Sequence, residues 1–360
     1  MNEGTTFLEL PADVVMHIFS KLPVKSLLRF KAVCKYWCSL IQSPTFVAKH
    51  LRHHKNQENL LVHCYHVHGG ASALSLFPDA YLAGTSLEYQ DHIPTPTSFS
   101  TVSTVLGPVD GLVFIYNDHS LMLLWNPATR EVKLLPPLVV SSLPLSSPSR
   151  TLYSHVFGFG KDPSTNDFKV VCVRDYWDDD LQVWYVPLVS VYTLSSHSWR
   201  QFRDYTFSSL RVVKSYTNTY LNGFYYWGGI SSCRVFAFDV RNEIFREIRT
   251  PDTFKSMQGN LALYNDSLAT FAYNRGTETS VDVWVMEAEG CWIKKVSIGP
   301  LLNIRRALGS WKTGFIFIET GNMQLALLNP DTKEIRHLGP RINCYCLQVS
   351  RYKESLVRLH

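Results

Sequence analysis

The chain has no CxxC pair, no GxSxG elbow, no HExxH pair and no Walker or Rossmann glycine pattern. Those absences remove thiol redox catalysis, serine hydrolysis, zinc peptidase chemistry and nucleotide binding as first expectations, and no cofactor is expected. Long apolar runs are missing too: no stretch of about 18 uncharged apolar residues occurs, so no membrane-spanning helix is expected. The start, MNEGTTFLELPADVV, lacks a basic segment followed by an apolar core, so a secretory leader is not expected either. Eight cysteines (34, 38, 64, 172, 233, 291, 344 and 346) lie scattered. This fits reduced, mostly buried thiols in cytoplasm or nucleus better than a disulfide framework.

Net charge is lacking from most of the chain. Up to Asn56 there are eight Lys and Arg against three acids, and beyond it 27 bases face 27 acids, so the head carries the whole +5. Its positive residues alternate with Leu, Phe, Val and Trp instead of lining a stripe. An acidic protein surface is therefore the expected partner, and nucleic acid is not.

Three clusters could carry chemistry. His50, His53 and His54 precede His63, Cys64, His66 and His68; on a strand the last three would share a face, but no second ligand group stands at finger spacing, and no metal is expected. Cys34 and Cys38 lie one helical turn apart, and Cys344 and Cys346 alternate on a strand; packing is the expected role of such thiols. Asp110, Asp167 and Asp239 stand near strand ends, where Asp is favoured as a turn residue, although a pair about 5 to 9 Å apart at a channel mouth would make a glycosidase.

What is present begins at Leu10 to Trp37. Apolar residues at 11, 14, 15, 18, 19 and 22 follow the i, i+3, i+4, i+7 spacing of a helix face, and Pro11 suits a first turn. Pro23 stops that helix. A second fits Val24 to Phe30, and a third runs through Val33, Cys34, Trp37, Leu40 and Ile41 to Pro44, after which Ser43 to Asn59 reads as a last short helix passing into a polar linker. The expected division is a helical unit over 4–51, a linker over 52–59 and a second domain over 60–360. A unit this small must lean on a partner or another domain.

Leu10-Pro11, Ile18, Leu22-Pro23-Val24-Lys25-Ser26-Leu27-Leu28, Phe30, Cys34, Lys35 and Trp37 closely resemble the F-box, the motif that recruits Skp-type adaptors into cullin-based ubiquitin ligases. The resemblance implies an adaptor-binding surface built from Leu10, Pro11, Val14, Ile18, Leu22, Pro23, Leu27, Leu28, Phe30, Cys34 and Trp37, and no catalytic residues. A charge at Leu22 or Leu27 is expected to abolish recruitment while sparing the domain that follows.

From Leu60 on, short runs rich in Val, Tyr, Phe, Trp and Leu are separated by Gly, Pro, Asn, Asp and Ser clusters, the pattern of many short antiparallel strands. Hairpins at 121–137, 189–205, 235–251, 281–297 and 325–340 share one plan. With Asn126, Leu194, Asp239, Met286 and Asn329 aligned, the intervals are 68, 45, 47 and 43. A period near 45 is a four-stranded propeller blade, and the region has room for six, with five and seven as alternatives. In the long first interval, 136–148 and DYWDDD (175–180) read as loop insertions. Most of the tryptophans are expected to pack between blades. Trp177, beside Asp178, Asp179 and Asp180, is instead expected to contact a basic partner.

Leu124-Trp125-Asn126-Pro127-Ala128-Thr129-Arg130-Glu131, Gly158-Phe159-Gly160, Asn166-Asp167-Phe168-Lys169-Val170-Val171, Ser198-Trp199-Arg200 and the repeat Asn329-Pro330-Asp331-Thr332-Lys333-Glu334 resemble the F-box-associated, kelch-like domain of plant F-box proteins. Val283 to Glu287, Ile298 to Leu301 and Tyr352 to Val357 look most like the S-locus group. The resemblance implies a Skp–cullin–F-box ligase subunit whose propeller holds a protein for ubiquitination and degradation. In the S-locus case that protein would be a basic pistil ribonuclease, in self-incompatibility; in a relative, an immune or developmental protein. A propeller glycosidase or sugar-binding module is the alternative of another class.

Overall fold

The computed structural model describes residues 11–53, 59–66, 72–78, 91–92, 103–117, 121–139, 150–205, 219–229, 234–256, 258–273, 278–311, 314–338 and 344–359. Four helices open the chain: α1 (Ala12–Phe19), α2 (Val24–Phe30), α3 (Lys35–Gln42) and α4 (Pro44–His53). The fourth is the short helix expected after Ser43. Proline marks three of the starts, because its fixed φ suits a helix entrance and its missing N–H goes unneeded there. At α3 the Cys34 sulfur serves instead: Sγ accepts the Trp37 N–H at 3.5 Å, which accounts for the Cys-x-x-Trp spacing.

Six antiparallel sheets follow, each a propeller blade. Blade two is typical, with strands Ser103–Val109, Leu112–Asn117, Met122–Asn126 and Glu131–Leu134 in order from the axis outward. Blades four, five and six repeat this plan from Thr219, Gln258 and Ile304, while blade three carries a fifth strand. Blade one closes the ring: Cys344–Tyr352 pairs with Asn59–His66 and supplies its innermost strand from the far end of the chain. The five aligned hairpins of the sequence are the outer strand pairs of blades two to six.

Tryptophan indoles tie neighbouring blades together. Trp199 Nε1–H donates to the Pro136 carbonyl at 2.9 Å, Trp227 to Phe157 at 3.0 Å and Trp292 to Arg249 at 3.0 Å, each across a blade boundary. Lys169 adds an ionic link: its ammonium meets Asp162 at 3.2 Å within blade three and Glu243 at 3.0 Å in blade four. The glycines of Gly158-Phe159-Gly160 are placed by the same packing. A Cβ on Gly158 would meet the Trp227 and Tyr225 rings at 2.7 Å and Val171 at 2.8 Å, while Phe159 turns the other way and is wholly buried. Gly158→Ala should therefore force the blade three to four contact apart and cost about 1 to 3 kcal/mol. A denaturant melt reads this directly, and an unchanged midpoint would mean that the rings give way freely.

One turn recurs throughout. In Asn126-Pro-Ala-Thr-Arg-Glu, Asn126 Oδ1 accepts the N–H groups of Ala128 (3.0 Å) and Thr129 (3.3 Å), and Thr129 Oγ1 accepts Glu131 N–H. Arg130 then turns left-handed at φ 63°. Asn329 caps Asp331 and Thr332 in the same way, and so do Asp162 and Asp239 on the second and third residues after them. An Asx side chain stands in for a backbone turn carbonyl, which is why Asn and Asp exchange freely at this place.

Candidate functional site: the helical head and the extended hairpin of blade three

The head has two apolar sides. Inward, Val15, Phe19, Val24, Leu27, Ile41 and Phe46 are buried as one core, and the rings of Phe19, Phe30 and Trp37 meet with centroids 5.0 to 5.5 Å apart. Leu356, from the C-terminal tail, completes that core, with Ala128 of the blade-two turn against its edge. The head thus leans on the propeller through a peptide that the propeller itself holds. Asn126, fully buried, donates Nδ2–H to the carbonyls of Ser355 (3.0 Å) and Val357 (2.8 Å), and Glu131 Oε2 accepts Leu359 N–H at 3.1 Å. Gly111, at φ +81°, lies directly under Ser355, where any side chain would collide with the tail. Leu356 points into the head while Leu359 is buried in the propeller core.

Outward, α1 presents Val14 and Ile18, one turn apart and 37% and 44% exposed. Pro11, Pro23 and Cys34 are exposed nearby in sequence, together with Val33 and Tyr36, which sequence reasoning passed over. Leu22, Leu28, Phe30 and Trp37 are half-buried. Leu27 is different: at 0% exposure it is core, packed among helices that pin it down, and it has no surface to offer a partner. Leu27 is thus corrected from a docking residue to a core residue, and a charge there would act through the fold of the head. Leu10 lies outside the described residues.

The second group of expected site residues is divided by the structure as well. DYWDDD is not a loop: Asp175 to Asp178 end the long strand Phe168–Asp178, which pairs with Arg150–Lys161 and, at its tip, with Val183–Trp184. The alternation was hidden because this strand is flanked on both sides and buries polar residues; Asp175, 3% exposed, accepts Ser154 Oγ–H at 3.1 Å. Asp178 is buried and used by the turn. Its Oδ1 accepts Asp180 and Leu181 N–H at 3.1 and 3.0 Å, its Oδ2 accepts Tyr185 O–H at 2.7 Å, and Gln182 follows at φ 54°. This is again the Asn126-type turn. Asp179 and Asp180 are exposed, and Trp177 is half-buried with its indole N–H donated to Asp179 at 3.0 Å.

Comparison with known proteins places both parts. Residues 7–49 match the F-box domain, and residues 78–323 match the F-box associated beta propeller domain. This chain is an F-box protein with an F-box associated propeller. Among curated Arabidopsis thaliana proteins, F-box/kelch-repeat protein At3g23880 is 29% identical, the match covering 89% of this chain and 87% of that protein. F-box protein CPR1 is 26% identical over 91% of this chain and 84% of its own length. As an F-box protein the chain is a non-catalytic ligase adaptor, and its F-box implies binding to a Skp-type adaptor.

The acids considered for hydrolysis are accounted for in the F-box protein's turns. Asp110 pairs with Lys161 at 2.7 Å, Asp167 accepts Phe168 N–H at 2.8 Å, and both oxygens of Asp239 bond within its own turn. A cavity of about 140 Å³ lies among the inner strands, lined by Leu106, Thr219, Leu261, Gly309, Gln348 and Arg351 among others, with no carboxylate among its described lining residues. Among the described residues no three His, Cys, Asp or Glu gather to hold a metal. His50 bonds the Leu22 carbonyl at 2.9 Å, and His63 bonds Gln348 at 3.0 Å with its pKa lowered to about 4 by burial, so it is neutral. His54 and His68 lie outside the described residues. No helix among the described residues is long and apolar enough to cross a membrane.

Proposed function

We propose that this F-box protein is the substrate-recognition subunit of a Skp–cullin–F-box ubiquitin ligase, with the F-box docking on the adaptor and the propeller holding a protein substrate. The observation that carries this is the division of labour within the head. One apolar side is packed on Leu356 and Ala128, while Pro11, Val14, Ile18, Pro23, Cys34 and Tyr36 remain uncovered. Exposed apolar side chains on so small a module call for a partner surface. No bond is made by this chain: its contribution is effective concentration, holding substrate lysines near a ubiquitin-charged enzyme on the cullin.

Substrate contact falls to the propeller, with Trp177, Asp179 and Asp180 as its first contact residues. A basic ribonuclease, the substrate in the S-locus case, suits two exposed carboxylates; an immune or developmental protein with a basic surface suits them equally.

Co-purification tests the assignment. The full chain co-expressed with a Skp-type adaptor and cullin should elute with both in one equimolar complex. Elution of the chain alone, with its melting transition intact, would remove the ligase role and leave the propeller to be assigned anew.

A further inference from the structure

The strands of a blade are antiparallel, so the connections from first to second and from third to fourth strand emerge on one face of the propeller, and the others emerge on the opposite face. Ala128, against the F-box, lies in a third-to-fourth connection, and Gly111, under the tail, in a first-to-second connection. Both belong to the F-box face. The hairpin that joins Asp178 to Val183 in blade three is a second-to-third connection and therefore lies on the far face.

That hairpin carries an uncovered apolar surface. Trp184 packs on Trp177 with ring centroids 5.0 Å apart and edge-on to Tyr153 at 4.7 Å. Tyr153 is the extra residue where the register between Leu152 and Ser154 shifts, and it is 65% exposed. Leu181 in the turn is exposed as well, and Leu152 and Val183 are exposed on the other face of the same strands. Beside them stand Asp179 and Asp180, and the ten residues from Asp175 to Trp184 contain four aspartates and no lysine or arginine. With Asp175 and Asp178 spent inside the fold, Asp179 and Asp180 are the exposed carboxylates of this turn.

We infer that the hairpin tip of blade three is a docking platform for a protein segment that combines arginine or lysine with apolar side chains. Tyr153, Trp177 and Trp184 would take the apolar groups and the stems of the basic ones, and Asp179 and Asp180 the cationic heads. This rests on the substrate-recognition role proposed above and adds the class of segment recognised. Its position on the face away from the F-box keeps a bound segment clear of the adaptor.

Fluorescence polarisation on the full chain in complex with the adaptor tests it, with three labelled twelve-residue peptides: one alternating Arg with Leu and Trp, a twin with Glu for Arg, and one alternating Arg with Ser. The first should bind at least tenfold more tightly than either other peptide, and less tightly as salt rises. Asp179→Lys with Asp180→Lys should reverse the preference between Arg and Glu peptides. Tyr153→Ala, at an exposed bulge that folding does not need, should weaken the first peptide severalfold. Equal binding of all three peptides, or binding that none of these variants changes while circular dichroism stays native, overturns the platform. Adaptor binding is measured on the same samples, so failure of the ligase role, seen as a wild-type chain that brings down no adaptor, is distinguished from failure of the platform.

Discussion

A chain ending at residue 343 should not fold, although it keeps more than nine-tenths of its length. The missing piece contains Cys344–Tyr352, the innermost strand of blade one, and with it the whole ladder from Asn59 to His66 loses its inner partner. Tyr352, Leu356 and Leu359, all buried, go as well. At roughly 1.5 to 3 kcal/mol for each large side chain, the lost burial alone is of the order of the 5 to 15 kcal/mol that holds an average domain folded. The open ring also exposes an apolar strand edge, which promotes aggregation. Expression should yield insoluble protein. A chain ending at residue 352 should behave differently: it keeps the closing strand, stays soluble and melts cooperatively, but the F-box, without Leu356 in its core, should be cut away by brief proteolysis. If the chain ending at residue 343 still gave a soluble protein with a sharp melt, the closure through residues 344–352 would not be what completes the propeller.

Ile18→Asp and Leu27→Asp should both impair adaptor recruitment, for different reasons that one experiment separates. Ile18 is 44% exposed on α1, so a carboxylate there is hydrated in the free chain and should cost less than about 0.5 kcal/mol of stability. Binding should nevertheless fall ten- to a hundredfold, because a partner that covers Ile18 must strip the carboxylate of water. Leu27 is 0% exposed and meets Leu356 in one core. An unpaired charge there should unfold the F-box, with a loss of more than about 4 kcal/mol, and release the tail. Hydrogen exchange over residues 11–53 distinguishes the two: protected in Ile18→Asp, unprotected in Leu27→Asp. Normal adaptor binding by Ile18→Asp would move the docking surface elsewhere on the head.

The head was legible in the sequence because helical periodicity and proline punctuation act within a few residues. What that periodicity does not report is which of two apolar stripes on α1 turns inward. Val14 and Ile18 differ from Val15 and Phe19 by about one position, and only the packing of α2, α3, α4 and Leu356 decides between them. The blade hairpins were legible through their alternation and turns, but DYWDDD was not. An acidic run reads as solvated loop until the turn at Asp178 is seen to use both of its carboxylate oxygens. In the fold, Asp178 followed four residues later by a left-handed Gln182 repeats the spacing of Asn126 and Arg130, but a glutamine does not announce that conformation in the sequence.

By itself, then, the sequence determined that a small helical head precedes a repeated β-domain, because those properties depend on local patterns that any chain with these residues would show. Tertiary structure alone decided that the ring closes with its last strand, that Asn126 holds a tail whose Leu356 anchors the head, and that the hairpin carrying Trp177 and Trp184 emerges on the face away from the F-box. Each of these joins residues far apart in the chain, Asn126 to Ser355 across 229 positions. No local pattern encodes such a pairing; it follows only when six blades fill the circle.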